Sequence, residues 1–583
     1  MKEIIDYFKG DELAASTWLN KYSAEGDKTP DDMHWRMAEE FFRVGDKYPK
    51  YIDTNTLYSL SEYGRLRQNL STVNIYSLFK DFKHIVPGGS IMASLGLTTI
   101  TSLSNCFVIG SPLDSYTSIM KTRTEQAHLM KRRGGVGYDI SGLRPKGAKV
   151  SNAAKTATGP ASFMEVNSEI TKEVAQDGRR GALMLTIDIR HPDSLDFILK
   201  KQDLTKVTGA NVSVKVPDDF MEAVIKDEDY LLRWPVDDVP QYTRTVKAKE
   251  LWNQLIHAAW NTAEPGIIFI DRMHKYSPDG GYIGAKAIST NPCGEIPLGA
   301  YDSCRLMHIN FTSFVKSPYE EGAYVDEAHL YEVAYETMVL ADNLVDLETE
   351  AIDRILLKVA SDKDFVEEAL WQKIKDTAIK FRRTGIGFTG LADVYAMLGV
   401  KYGSDAALHL TQKMLHTKLK AELDATIDMA ILRGSFPEWD RHTEHNEWFD
   451  FIKETYPEQY ERMKEYGRRN LSFSTVAPTG TVSIMTQTSS GIEPVFMPYY
   501  MRRRRVSNSR DKVDFVDRNG EKFTEFAVLH PELIKWFETK NENNTREFLE
   551  TLSQKELDVF FEASPWYGST SPEIAWDKRV SKD

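Results

Sequence analysis

Cysteine is scarce in this chain, and its scarcity excludes several classes of protein. Only 3 of the 583 residues are cysteine, too few for the disulfide framework that a secreted protein of this size would carry. The N-terminus lacks the uninterrupted apolar core of a signal peptide, and no apolar run reaches the roughly 18 residues of a transmembrane helix. We therefore expect a cytoplasmic protein with reduced thiols and no membrane partner.

Excess positive charge is absent as well. The chain has 73 basic and 86 acidic residues, which gives a formal net charge of -13. Because non-specific binding to DNA or RNA requires a dense cationic face, nucleic acid is not an expected partner. A local phosphate site remains compatible with an acidic protein, since backbone amides and a few arginines are enough to hold a nucleotide.

The common nucleotide and metal spacings are also missing. The glycine-rich stretches RRGGVGYDISGLRPKG (132–147) and AQDGRRGA (175–182) fit neither the Rossmann nor the P-loop pattern. HTEH (442–445) lacks the HExxH arrangement, so no metal site is predicted. Glycine and arginine together still suit an anion, although an ordinary structural loop is the alternative for both stretches.

The order of apolar runs and helical stretches along the chain predicts an α/β protein. The first 80 or so residues are amphipathic at helical spacing, as in DDMHWRMAEEFFRV. Afterwards short apolar runs such as GALMLTIDI (181–189) and EPGIIFID (264–271) alternate with helical stretches, which favours a strand–helix barrel or an open sheet. We predict a helical N-terminal domain at 1–80 and an α/β domain at 81–583.

Hydroxyl groups are concentrated in one turn. STVAPTGTVSIMTQTSSGIEPVF (474–496) combines hydroxyl side chains and glycine with a helix-like apolar stretch, which is the composition of a phosphate cradle at a helix N-terminus. An ordinary capped turn has the same composition, so both interpretations stay open at this point.

Two of the three cysteines lie in NPCGEIPLGAYDSC (291–304). Cys293 and Cys304 are eleven positions apart, and Glu295 follows the first by two residues. An isolated cysteine is often an inert core residue, whereas a thiol beside a carboxylate placed to move protons can support chemistry. The residues alone leave both possibilities open.

Eight short motifs occur in a fixed order between about residue 84 and the C-terminus. They are SLSNCFVIG (102–110), RGGVGYDISGLRPKG (133–147), QDGRRGA (176–182), EPGIIFIDR (264–272), NPCGE (291–295), SCRLMHIN (303–310), RRTGIGFTGLADVYAMLG (382–399) and APTGTVS (477–483). Together they resemble the catalytic subunit of ribonucleotide reductase. That resemblance implies a ten-stranded α/β barrel, in which a central finger loop carries a radical cysteine.

The resemblance also implies a role for each residue of the cysteine motifs. Cys293 is expected to form the transient thiyl radical that abstracts the 3′ hydrogen of the ribose. Glu295 is expected to act as base toward the 3′ hydroxyl, and Asn291 to hold the substrate by hydrogen bonds. Cys106 and Cys304 are then the redox pair, which protonates the departing 2′ hydroxyl, supplies two electrons and ends as a disulfide.

Two nucleotide sites are implied in the same way. The residues expected to bind the substrate are Ser90, Ser104, Asn105, Pro478, Thr479, Gly480, Thr481 and Ser483. Those expected to bind a nucleoside triphosphate effector are Asp114, Arg144, Gln176, Asp177, Arg179 and Arg180. Ser111 stands where family members usually carry an aspartate, with Asp114 three residues further on.

The source of the radical divides the family. The eleven-residue cysteine spacing and SSGIEPVF (489–496) resemble the adenosylcobalamin-dependent class, so adenosylcobalamin is the expected cofactor. Tyr499 and Tyr500 directly follow SSGIEPVFMP, and we do not interpret them as the tyrosine relay of the oxygen-dependent class. The alternatives are a large subunit that needs a separate metal-containing, radical-generating subunit, and a catalytically inactive nucleotide-binding paralogue.

The resemblance predicts several partners besides the ribonucleotide substrate. They are a dithiol reductant such as thioredoxin and a second copy of the chain in a homodimer. Family chains continue beyond the segment that resembles SPWYGSTSPEIAWDKRV into a final barrel strand and a tail with a cysteine pair. A second polypeptide that supplies this C-terminal part is therefore also expected.

Overall fold

The computed structural model describes residues 2–48, 53–176, 179–505, 513, 515–516, 522–540 and 546–580. The α-helices within these ranges are α1 (Lys2–Tyr7), α2 (Glu12–Lys21), α3 (Pro30–Gly45), α4 (Thr54–Ser59), α5 (Glu62–Leu66), α6 (Thr72–Phe79), α7 (Gly89–Ser94), α8 (Tyr116–Lys131), α9 (Met164–Glu173), α10 (Ser194–Leu199), α11 (Asp218–Lys226), α12 (Ala248–Thr262), α13 (Ile270–Lys275), α14 (Glu327–Asp362), α15 (Phe365–Phe381), α16 (Leu391–Met397), α17 (Asp405–Arg433), α18 (Glu447–Thr455), α19 (Pro457–Tyr466), α20 (Val482–Thr486), α21 (Pro531–Lys540), α22 (Arg546–Thr551), α23 (Gln554–Glu562) and α24 (Trp576–Val580).

The strands in the same ranges are β1 (Ile85–Pro87), β2 (Cys106–Val108), β3 (Gly135–Asp139), β4 (Ala175–Gln176), β5 (Arg179–Arg180), β6 (Leu183–Asp188), β7 (Asn211–Val216), β8 (Asp229–Trp234), β9 (Tyr242–Lys247), β10 (Gly266–Phe269), β11 (Ser289–Thr290), β12 (Pro297–Leu298), β13 (Ser303–Cys304), β14 (Leu306–Asn310), β15 (Val315–Lys316), β16 (Tyr324–Val325), β17 (Gly385–Thr389), β18 (Tyr499–Arg505), β19 (Phe515–Val516) and β20 (Lys522–Leu529). Short 3₁₀ helices lie at Lys80–Phe82, Pro160–Ser162, Lys200–Gln202 and Phe311–Phe314. The predicted α/β alternation is confirmed. Within the described ranges, no helix combines the length and the apolar character that a membrane span requires.

Helices α1 to α6 form the N-terminal part of the chain. Helix α3 begins with a proline, and the carboxylate of Asp32 accepts a hydrogen bond of 3.0 Å from the backbone N–H of Thr29, which caps the first turn. The apolar face of α3 packs in the same hydrophobic cluster as residues of α14 and α17. The N-terminal helices therefore share a core with later elements, and the domain boundary at residue 80 stays a prediction.

The larger sheet has six strands in the order β10-β7-β6-β3-β2-β13, all parallel except β13. Side chains alternate between its two faces. Val136, Leu185 and Val214 point into an apolar cluster with the covering helices. The opposite face carries Gly137 and Thr186, which contact the hairpin β11–β12. We call this side the hairpin face of the sheet.

The second sheet joins the first through one buried arginine. It has the order β1-β14-β17, with β14 parallel to β17. Only Arg305 separates β14 from β13 of the larger sheet, and its guanidinium donates hydrogen bonds of 3.0 and 2.7 Å to the carbonyl oxygen of Arg383. A parallel bridge between Ile386 and Ser474 extends this sheet by one short segment. The chain thus passes directly from one sheet to the other.

Two glycines of β3 allow the hairpin to approach the sheet. A Cβ atom added at Gly137 would lie 1.9 Å from the carbonyl oxygen of Thr290, and one added at Gly135 would lie 3.0 Å from Cγ of Pro292. Real Cβ atoms do not approach a carbonyl oxygen this closely, so only glycine permits the observed contact at Gly137. The glycine-rich stretch at 132–147 therefore provides room for the segment that carries Cys293.

We predict that Gly137→Ala destabilises the protein. The added methyl group must displace the hairpin or the strand, and overpacking of this kind lowers the free energy of unfolding by about 1–3 kcal/mol. Urea unfolding followed by circular dichroism measures the change. Gly480→Ala is the matched control, because no heavy atom lies within 4 Å of its added Cβ. Equal unfolding midpoints for the two variants would contradict the packing argument.

Candidate active site

Cys293 lies at the tip of the β11–β12 hairpin. The backbone N–H of Asn291 donates to the carbonyl oxygen of Ile296 (3.3 Å), and the side-chain oxygen of Asn291 accepts from the N–H of Ile296 (3.1 Å). Gly294 has φ +83°, a left-handed conformation that glycine adopts without strain. The tip is therefore a compact, internally bonded turn, on which the side chain of Cys293 is exposed.

Glu295 and Asn291 form a hydrogen-bonded pair in the same turn. The side-chain amide of Asn291 donates to the Glu295 carboxylate, and the hydroxyl of Thr475 donates to the Glu295 carbonyl oxygen over 3.1 Å. Burial raises the pKa of Glu295 above its ordinary value, while the hydrogen bond from Asn291 lowers it in part. The pair places a carboxyl group two residues from the thiol of Cys293.

The sheet holds the hairpin by side-chain hydrogen bonds. The amide of Asn211 in β7 donates to the carbonyl oxygen of Pro292 over 2.8 Å. The hydroxyls of Thr186 in β6 and Ser289 in β11 lie 3.0 Å apart. Both contacts come from the hairpin face, so the position of Cys293 is set by the central strands of the sheet.

Cys106 and Cys304 lie directly opposite each other in the antiparallel strands β2 and β13. Residues paired in this way have Cα atoms about 4.5–5.5 Å apart and side chains on the same face. That separation falls inside the roughly 4.4–6.8 Å range of a disulfide. The two thiols, both buried, can therefore close a disulfide without a change of strand register.

Electrostatic interactions show that all three cysteines share one site. Burial raises the pKa of Cys106 well above its ordinary value, with further increases from the charges of Glu295, Cys293 and Cys304. The hydrogen bond from Asn291 acts in the opposite direction. The structure thus brings together the five residues that the resemblance assigns to catalysis.

Cys304 has a second close neighbour, Gly385 of β17. A Cβ atom at Gly385 would lie 2.4 Å from the sulfur of Cys304, so the thiol packs directly against the backbone of the second sheet. Burial raises the pKa of Cys304, and the adjacent cation of Arg305 lowers it in part. Cys304 is therefore enclosed between the two sheets.

The predicted substrate residues before β2 are held by hydrogen bonds. The side-chain oxygen of Asn105 accepts from the N–H of Ser90 over 3.0 Å, and the hydroxyl of Ser104 donates to Glu348 over 3.1 Å. The hydroxyl of Ser90 is buried and has no hydrogen-bond partner among the described residues. An unpaired buried hydroxyl is costly, which makes Ser90 a candidate for a contact with a ligand.

The predicted phosphate turn leads into helix α20. Thr479 has φ +50°, and its hydroxyl accepts from the N–H of Gly491 over 2.8 Å. The hydroxyls of Ser483 and Ser490 lie 2.9 Å apart, so the turn is tied to the segment that follows α20. Pro478 and Gly480 are exposed, and Thr481 is hydrogen-bonded to Tyr22.

The predicted effector residues lie at two places. Asp114 and Arg144 form an ion pair of 2.6 Å, which is strengthened by the backbone N–H of Arg144 (3.1 Å). The backbones of β4 and β5 form a hairpin that contains Gln176, Arg179 and Arg180. Asp177 lies outside the described residues. These effector assignments stay predictions.

One other group of side chains has the composition of a metal site. Ligand atoms of His128, Asp364 and Glu367 lie within 4.8 Å of one another. Glu367, however, already accepts hydrogen bonds from Lys131 (2.5 Å) and Arg132 (3.2 Å). These two cations oppose a metal ion at the same carboxylate, and the group is better described as an ion-pair network.

Sequence reasoning missed four residues that contact the site, Tyr22, Asn211, Glu348 and Thr475. Thr475 lies inside the hydroxyl-rich stretch, so its composition carried a signal. The other three act through contacts between positions far apart in the chain, and no local pattern marks them.

Comparisons with known proteins show which family the chain resembles. Residues 104–518 match the family model described as ribonucleotide reductase, barrel domain. A vitamin B12-dependent ribonucleoside-diphosphate reductase of Thermoplasma acidophilum is 31% identical over 465 residues, which are 79% of this chain and 54% of the relative. One from Mycobacterium tuberculosis is 31% identical over 409 residues, 70% of this chain and 52% of the relative.

A third relative carries a different name. The ribonucleoside-diphosphate reductase large chain of Cryptosporidium parvum is 25% identical over 486 residues, 76% of this chain and 56% of the relative. The chain spans about half the length of the curated relatives it matches.

The burial of the thiols predicts an order of alkylation. With iodoacetamide at mildly alkaline pH, we expect Cys293 to react first, because its side chain is exposed. Cys106 and Cys304 should react slowly until the protein is unfolded, since burial raises their pKa values and keeps them protonated. Mass spectrometry of the peptides measures each rate. Cys293→Ser should remove the fast phase, and labelling of Cys304 as fast as Cys293 would contradict the prediction.

Proposed function

Because the chain belongs to the ribonucleotide reductase family, we propose that it reduces ribonucleotides to 2′-deoxyribonucleotides through a thiyl radical on Cys293. The observation that carries the proposal is the pairing of Cys106 with Cys304 in adjacent strands, within the electrostatic reach of Cys293 and Glu295. A binding protein has no use for three thiols and a carboxyl group in one site, and the same arrangement argues against an inactive paralogue.

The first step activates the ribose. The sulfur radical of Cys293 takes the hydrogen atom from C3′, while Glu295 accepts the proton of the 3′ hydroxyl. Asn291, hydrogen-bonded to Glu295, orients the carboxylate toward the sugar. These three side chains belong to one rigid turn, which fixes their spacing before the substrate arrives.

The second step removes the 2′ hydroxyl and reduces the sugar. Cys106 and Cys304 together give up two protons and two electrons, the 2′ oxygen leaves as water, and a disulfide forms between the two sulfurs. Glu295 returns its proton to the 3′ oxygen, and Cys293 returns its hydrogen atom to C3′ and is a radical again. Raised pKa values keep both buried thiols protonated, as a proton donor requires.

The architecture in this proposal is the ten-stranded barrel of the family. The sheets of six and three strands are its parts, and the hairpin 289–298 is the finger loop inside it. The assignment of the finger loop is supported by the hairpin face of the larger sheet, where Asn211 and Thr186 are hydrogen-bonded to the hairpin.

Adenosylcobalamin is the radical source that we favour, because relatives at 31% identity carry vitamin B12 dependence in their names. When bound, it would supply the one-electron chemistry that removes the hydrogen atom of the Cys293 thiol. The chain fits this source, since Cys293 is exposed at the hairpin tip. Cys293, Gly294 and the exposed Val476 would form the contact surface.

A metal-containing radical-generating subunit is the second candidate source. The similarity to the Cryptosporidium parvum large chain is the observation in its favour. Other partners in the proposal are a dithiol such as thioredoxin, which would reduce the Cys106–Cys304 disulfide by thiol exchange, and a nucleoside triphosphate effector. The second polypeptide that would supply the C-terminal part of the family fold stays a prediction.

A second copy of the chain is a further proposed partner. Tyr116 and Met120 on α8 and Val166 on α9 are exposed apolar side chains, and exposed apolar groups at one place favour association. In a homodimer this face would meet its counterpart on the other copy.

The proposal is tested by incubation of the protein with ribonucleoside diphosphate or triphosphate, dithiothreitol and adenosylcobalamin. We expect deoxyribonucleotide by chromatography, and none from Cys293→Ala, because that variant cannot carry the radical. Product that forms without cobalamin would favour the metal-containing subunit. Nucleotide binding without product under any of these conditions would favour the inactive paralogue.

Glu295→Gln should separate catalysis from binding. Loss of a general base lowers kcat by about 10²–10⁴-fold, whereas an amide of the same size preserves the turn and the affinity for nucleotide.

In the wild type the rate should fall as the pH decreases through the pKa of Glu295, which burial raises above 4.5. Steady-state kinetics across pH measures both effects, and an unchanged kcat in the variant would exclude Glu295 as the base.

A further inference from the structure

The N-terminal helical region places a tyrosine on the predicted phosphate turn. Tyr22, which caps the C-terminus of α2, is 4% exposed. Its hydroxyl is hydrogen-bonded to the hydroxyl of Thr481, 459 residues later in the chain. The motifs that carry the family resemblance begin well after this tyrosine.

The same hydroxyl lies beside a second segment predicted to bind the substrate. A Cβ atom at Gly89 would be 3.3 Å from the Tyr22 oxygen and 3.4 Å from its ring. Gly89 adjoins Ser90, whose buried hydroxyl has no partner among the described residues. Tyr22 is therefore the side chain at which the segments around Ser90 and Thr481 meet.

Two further contacts hold these segments in place. The guanidinium of Arg36 donates to the carbonyl oxygens of Leu95 and Met92, the latter over 2.8 Å, just after and within helix α7. On the other side, the amide of Gln487 at the end of α20 donates to Asp11 (3.2 Å), the residue that caps α2. These contacts fix α7 against α3, which carries Arg36, and α20 against the start of α2, the helix that Tyr22 caps.

Two hydroxyl groups that share one hydrogen bond have one proton left for another acceptor. If the Tyr22 hydroxyl donates to Thr481, the proton of Thr481 is directed to a third group. A chain of this kind also strengthens its last donor, because each hydrogen bond polarises the next. A phosphate oxygen in the turn is the acceptor that gains most, since hydrogen bonds to a charged acceptor are the stronger ones.

We propose that Tyr22 is a positioning residue of the substrate phosphate site, which donates to Thr481 so that the Thr481 hydroxyl donates to a phosphate oxygen. The inference rests on the proposed function, because it takes the 478–483 turn as the place of the substrate phosphates. It adds the N-terminal helices to the substrate site and assigns phosphate recognition to a chain of two hydroxyls.

The test is equilibrium binding of a ribonucleoside diphosphate, measured by calorimetry without cobalamin or reductant. Tyr22→Phe keeps the ring and removes only the hydroxyl, and we expect binding about three- to tenfold weaker, the effect of one hydrogen bond between neutral groups. Tyr7→Phe is the matched control, because Tyr7 also lies in the N-terminal helices and its hydroxyl contacts Asp31 instead. It should bind as the wild type does.

A double-mutant cycle with Thr481→Val tests whether Tyr22 affects nucleotide binding through Thr481. If Tyr22 acts through Thr481, the double variant should bind no more weakly than Thr481→Val alone. In turnover, Tyr22→Phe should raise KM and leave kcat at saturation unchanged. Additive losses in the cycle, or wild-type affinity in Tyr22→Phe, would overturn the inference.

Failure of the proposed function gives a different result, namely no ribonucleotide binding by the wild type. Thermal unfolding of each variant reports whether it folds. If Tyr22→Phe does not fold, the comparison of Thr481→Val with Thr481→Ser takes its place. The chain of hydroxyls requires that serine retains binding and valine loses it, and wild-type affinity in Thr481→Val would overturn the inference.

Discussion

The antiparallel pairing of β13 with β2 is the constraint on which the rest of the site depends. It forms one edge of the six-stranded sheet and sets Cys304 opposite Cys106. One residue later, after Arg305, the chain continues as β14 in the other sheet. A shift of one residue in this register would turn Cys304 to the opposite face, so the redox pair and the junction of the two sheets are determined together.

Buried ion pairs maintain that register. Arg383, which is 2% exposed, forms ion pairs with Asp302 (2.6 Å) and Asp279, and its carbonyl oxygen accepts from Arg305. Asp302 directly precedes β13. A buried charge that loses its partner destabilises a protein by about 3–5 kcal/mol, so a shift of β13 that removed Asp302 from Arg383 would be strongly opposed. The buried ion pairs of Arg383 thus stabilise the position of Cys304.

Local patterns were enough to predict the strand–helix alternation and the family, because glycines, apolar runs and cysteine motifs are short and their order is specific. They could not reveal Tyr22 or Asn211, since each contacts a residue remote in the chain, Thr481 and Pro292 respectively. The glycines of β3 were visible as a loop composition, yet their purpose, the close approach of Thr290, required the packed structure. The ten-strand count stays a prediction, as do the effector residues.

The three thiols differ in burial, and the roles that we propose for them differ in the same way. Low polarity around Cys106 and Cys304 disfavours their thiolates, which suits the proton-donor role that we propose for them. Burial also raises the pKa of Glu295, and the hydrogen bond that its carboxylate accepts from the amide of Asn291 opposes that increase. Cys293 escapes burial at the hairpin tip, where a radical source can reach it. One turn of six residues therefore carries the exposed thiol and lies beside the two buried ones.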